Sequence, residues 1–183
     1  MNLLTQDLEA TIGRNQQAFQ IYNLFKTKTC LAEFNEEQTI AFRLVPHMLH
    51  TQEPRQFSYI GTTQAPMGIC NYHWKEPVEE LLPKYFPAEH FQQHGASKDP
   101  KIEFLSLMGS IGSVAYTDKS DFDYWCCVRD DLDSEEVKRL EEKCQRIEVW
   151  SEKELGVEVH FFLTTPELLR NNDFGELSKE SCG

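Results

Sequence analysis

The pattern that most constrains this chain is an ordered series of four segments. An apolar run, Ile102 to Met108, feeds a Gly109-Ser110 turn; then come an alternating stretch, Ser120-Asp121-Phe122-Asp123-Tyr124-Trp125-Cys126, a capped helix, and a second alternating stretch from Val157 to Leu163. Successive side chains of a strand point to opposite faces, so Asp121, Asp123 and Trp125 share one face while Phe122, Tyr124 and Cys126 share the other. Likewise Val157, Val159, Phe161 and Leu163 separate from Glu158, His160 and Phe162. For the helix between them, Asp133 is the expected N-cap and Glu136 completes a capping box. Val137, Leu140, Cys144 and Ile147 follow at helical spacing, and Gly156 is the stop signal.

The polar faces of these strands carry a chemistry. Two carboxylates on one face, Asp121 and Asp123, can share metal ions. A Gly109-Ser110 turn ahead of them can offer backbone N–H groups and a hydroxyl to a polyphosphate. A solvated strand with acids facing water has the same short pattern, so the motif needs its structural context. Glu158 is the expected third acidic ligand if the two strands are neighbours, because grouped carboxylates away from water call for a cation. His160 shares its face, and reads either as a group that bonds a phosphate or orients a carboxylate, or as a plain strand-surface histidine.

The run from Met108-Gly109-Ser110 through Ser120-Asp121-Phe122-Asp123-Tyr124-Trp125-Cys126, then Leu132-Asp133-Ser134-Glu135-Glu136, Lys143-Cys144 and Gly156 to Leu163, resembles the amino-terminal catalytic region of class I bacterial adenylate cyclases. Upstream, Pro46, Leu49-His50 and Pro66-Met67-Gly68-Ile69-Cys70-Asn71-Tyr72 are similar to that family's helical lead-in. The chain departs from the family at Ala115-Tyr116, where a Gly-Gln pair is expected, and the family's triphosphate-contacting lysine falls among Lys84, Lys98 and Lys101.

The resemblance implies an α+β fold: a polymerase-β-like nucleotidyltransferase core with a mixed sheet and flanking helices, preceded by a helical amino-terminal region. The expected division is a lead-in over 1–97 and a core over 98–183. It implies an adenylate cyclase converting ATP to cyclic AMP and pyrophosphate, with Mg²⁺ (or Mn²⁺) as cofactor. Asp121 and Asp123 would hold two metal ions, and Glu158 would complete the shell or accept the 3′-hydroxyl proton. Gly109 and Ser110 would cradle the phosphates with Ser120 beside them, and Trp125 would pack against the nucleotide or serve as core. Two alternatives stand beside this: a related enzyme that moves AMP to a separate acceptor, and a non-catalytic nucleotide-binding fragment.

Of the 183 residues, 30 are acidic and 18 basic, giving a formal charge of −12. That balance argues against a general nucleic-acid partner, whose phosphates need Lys and Arg. Six cysteines show no metal-like spacing and read as reduced, mostly buried thiols. No signal-peptide pattern or spanning helix is found, so the expected location is the cytosol. His90 and His94 stand one helical turn apart, a pattern open to zinc or to surface histidines. Leu8, Ile12, Phe19 and Tyr22 predict one amphipathic helix, and Ile40, Leu44 and Met48 another, their stripes packing on each other or on the sheet. A short helix is expected around Val78 to Leu82, and no finishing helix is read after Thr164 to Arg170. The expectation is therefore a fragment or truncated relative, with a regulatory partner acting through a missing carboxyl-terminal region.

Overall fold

The computed structural model describes residues 3–52, 58–59, 65–72, 76–86 and 98–173. His90 and His94 lie outside them. The elements are α1 (Leu3–Glu33), α2 (Glu36–His50), α3 (Glu76–Tyr85), β1 (Ile102–Met108), β2 (Phe122–Val128), α4 (Ser134–Leu155), β3 (Val159–Thr164) and α5 (Pro166–Arg170). The fold is α+β with a mixed three-stranded sheet in the order β1-β2-β3, β1 antiparallel and β3 parallel to the central β2.

Local sequence explains the helix boundaries. Asp133 accepts a hydrogen bond from Glu136 N at 2.8 Å while Glu136 reaches back to Asp133 N at 3.0 Å, and Gly156 closes α4 in the left-handed conformation at φ 65°. Helix α2 begins with the same reciprocal device between Asn35 and Gln38. The core forms where α2 and α4 cover one face of the sheet. Ile40, Leu44 and Met48 meet Ile102, Phe122, Tyr124, Leu140 and Ile147 there, so the lead-in and the strand region share one hydrophobic core. The alternation read from β2 is realised: Phe122, Tyr124 and Cys126 are buried, while Asp123 and Trp125 are half-buried on the opposite face.

Helix α1 departs from expectation. Leu8, Ile12, Phe19 and Tyr22 do not pack on α2 or the sheet; they are 47–65 % exposed. Its 31 residues rise about 46 Å. Among the described residues, Lys26 and Cys30 in its last turns meet the loop at Gly112. Helix α5, one short turn capped by Thr165 and begun by Pro166, lies within the run Thr164 to Arg170. No helix among the described residues is long and apolar enough to cross a membrane.

One buried charge was invisible to pattern reading. Lys143 is fully buried on α4, and its Nζ donates to Leu49 O at 3.1 Å and to Thr51 O at 2.5 Å, satisfying carbonyls at the end of α2. Burial pulls its pKa down to about 7.

Candidate active site

Three strands bring the polar residues together by register. Met108, Asp123 and His160 form one row across the sheet, and Ser106, Trp125 and Phe162 form the next. Asp121 stands exposed just before β2, so both aspartates sit at the end of the central strand where the chain arrives from the Gly109-Ser110 turn. The backbone of Glu158 joins the sheet there too, accepting from Phe122 N at 2.9 Å.

The turn is shaped to lie against Asp123. Gly109 has φ 88°, and a Cβ built on it would stand 3.3 Å from Asp123 Oδ2. A side chain would both strain this backbone and crowd the carboxylate. Beyond it, Ser110 Oγ donates to Ser120 Oγ at 2.8 Å, and Thr117 N donates to the same oxygen at 3.0 Å. Ser120 Oγ thus accepts twice, which leaves its own proton to be given to an anion. The two serines named from sequence close one loop on which Asp121 follows directly.

A cleft of about 330 Å³ opens here, lined by Asp121, Asp123, Glu148, His160, Phe161 and Phe162. Glu148 is the residue sequence reading missed. It projects from α4, and its Oε1 accepts from the edge-strand amide of Phe161 at 3.0 Å. Burial raises its pKa, an effect opposed by that hydrogen bond and by the charge of His160. The only available signal was its place one position after the buried Ile147, on the border of the apolar stripe.

The other expected residues fall nearby in different roles. Glu158 is exposed and does not line the cleft; its Oε1 lies 3.1 Å from His160 Nε2. Trp125 shares the face of Asp123 but sits one row further along the strand, outside the cleft lining. None of Lys84, Lys98 or Lys101 lines it: Lys84 stands 4.0 Å from Glu36, and Lys101 pairs with Asp99 at 2.7 Å. The six lining residues include three carboxylates and no lysine or arginine, a charge imbalance that suits a cation arriving with an anionic ligand.

Among the described residues, no three histidine, cysteine or acidic side chains converge as a ready-made metal cage. That donor set fits Mg²⁺ better than a structural metal, because Mg²⁺ is held through one or two carboxylates, with water and substrate phosphates completing its octahedron. Asp121 and Asp123 supply such a pair, all hard oxygen donors.

The site belongs to a chain of known kinship. It is a member of the family described as the adenylate cyclase NT domain, which matches residues 11–183. The chain is similar to the adenylate cyclases of Shigella flexneri and of Escherichia coli strain K12, each 33 % identical over 172 residues. It is 32 % identical over 170 residues to that of Yersinia intermedia. Each comparison covers 92 % of this chain but 20 % of the relative, so the chain spans about a fifth of the length of these curated proteins. No solved structure matches it.

Proposed function

We propose that this chain carries the nucleotidyl-transfer site of an adenylate cyclase, built on a polymerase-β-like core, and converts ATP to 3′,5′-cyclic AMP and pyrophosphate. The observation that carries the reading is the juxtaposition of Asp121 and Asp123 with the loop closed by Ser110 and Ser120, in a cleft lined by three carboxylates. Family membership supports the activity, which the relatives' names state for proteins five times longer.

Asp121 and Asp123 would hold Mg²⁺ or Mn²⁺, which when bound supplies charge neutralisation on the triphosphate and acidifies the ribose 3′-hydroxyl. Gly109 lets the β- and γ-phosphates approach the backbone closely, and the Ser120 hydroxyl donates to them. The 3′-oxygen then attacks the α-phosphorus in line; its O–H proton is lost and the bond to pyrophosphate breaks. Glu148, inside the cleft, is better placed to accept that proton than Glu158, which engages His160.

The test is product analysis of the purified chain with ATP and Mg²⁺ or Mn²⁺, alone and with candidate protein or small-molecule acceptors added. Cyclic AMP with equimolar pyrophosphate supports the reading. AMP found on a protein or small-molecule acceptor replaces it with acceptor transfer, and nucleotide binding without turnover replaces it with a binding module.

A further inference from the structure

The loop from Gly109 to Ser120 is held by the helical lead-in at two separate places, and one buried side chain dominates the second. At the first, Lys26 Nζ donates to Gly112 O, and Cys30 packs so closely under Gly112 that an added Cβ would stand 2.8 Å from its Sγ. At the second, Gln38 is only 2 % exposed although it sits in the first turn of a helix. Its Oε1 accepts from Asn35 N at 3.2 Å and from the phenol of Tyr116, and its Nε2 donates to Asp118 O at 3.3 Å. One amide therefore caps α2 and grips the loop on both sides of Thr117, the residue whose N–H fixes the Ser120 hydroxyl. Tyr116 is further seated on Phe34, with ring centroids 5.8 Å apart.

We propose that Gln38 and Tyr116 are positioning residues for the triphosphate loop, setting Ser120 and Asp121 in their working places from helix α2. The inference rests on the reading of this loop as a phosphate cradle. Capping alone does not account for the contacts, since the capping box is complete with Asn35 and needs neither Tyr116 nor Asp118. A buried primary amide with its donor and acceptor both committed to one loop acts as a fixed strut, because breaking either bond leaves a desolvated polar group.

Two variants separate positioning from folding. Tyr116→Phe removes only the phenol's bond to Gln38. Gln38→Glu keeps the capping acceptor and the Tyr116 acceptor but cannot donate to Asp118 O. The experiment measures hydrogen–deuterium exchange across 109–121 and across α2 in the free full chain. It also measures calorimetric affinity for 2′,3′-dideoxy-ATP with Mg²⁺, a probe that lacks the attacking hydroxyl. The expected result is faster exchange confined to the loop, unchanged exchange in α2, and binding weakened about fivefold in Tyr116→Phe. Wild-type exchange and affinity in both variants overturn the proposal while leaving the cyclase reading intact. A wild-type chain that binds no dideoxy-ATP overturns both.

Discussion

Gly109 and Asp123 face each other where β1 ends beside β2, with the place of a Gly109 Cβ only 3.3 Å from Asp123 Oδ2 and the glycine at φ 88°. At Gly109 the loop thus meets the Asp123 carboxylate with backbone and no side chain. A phosphate reaching the Gly109-Ser110 amides would arrive beside Asp123.

Gly109→Ala should therefore damage both stability and chemistry. The positive φ alone costs an L-residue about 1–2 kcal/mol, and the Asp123 carboxylate must give by a few tenths of an ångström to admit the methyl. Thermal unfolding and cyclic AMP formation check this together: a modest drop in melting temperature is expected with a much larger loss of product. Wild-type turnover in the alanine variant would show that Asp123 does not act from its present position.

Glu148→Gln keeps an oxygen to accept the Phe161 amide but removes the charge. Its melting temperature should match wild type, while product formation should fall on the order of 100-fold, as for removal of a general base. Glu158→Gln should cost less than tenfold at the same threshold of effect. The reverse ranking would return the proton-accepting role to Glu158.

Lys143 makes stability depend on pH. Its pKa is about 7 in the folded chain against 10.5 ordinarily, so between those values the unfolded state binds more protons. Stability from this residue therefore rises as pH climbs from 7 towards 10.5. Urea midpoints of the wild type and Lys143→Met at pH 7 and pH 9.5 read this out: the wild type should gain relative to the variant at the higher pH. A constant gap would mean that the carbonyls of Leu49 and Thr51 hold the ammonium charged throughout.

Much of the sheet and its polar face was legible because period-two alternation and capping chemistry are local. Asp133, Glu136 and Gly156 mark α4 by bonds to their own neighbours, and the Asp123–Trp125 face follows from strand geometry, with Asp121 just ahead of the strand. What stayed hidden depends on contacts distant in sequence. Glu148 reads as one acid among several on a helix until β3 is laid beside it, and Lys143 reads as solvated until the end of α2 is placed over it. Gln38 grips residues some 80 positions away. For α1 the failure was of a different kind: apolar residues at helical spacing specify a helix, not a partner, and the ones on α1 remain exposed.

The measurement that bears most directly on the account is made on Asp123→Asn, a nearly isosteric change at the centre of the row Met108–Asp123–His160. Cyclic AMP formation is assayed beside Mn²⁺ binding, followed by electron paramagnetic resonance, in wild type and variant. The account predicts a folded variant that loses both product and tight Mn²⁺ binding. A variant that folds, binds Mn²⁺ as wild type does and still makes cyclic AMP would contradict the site described here.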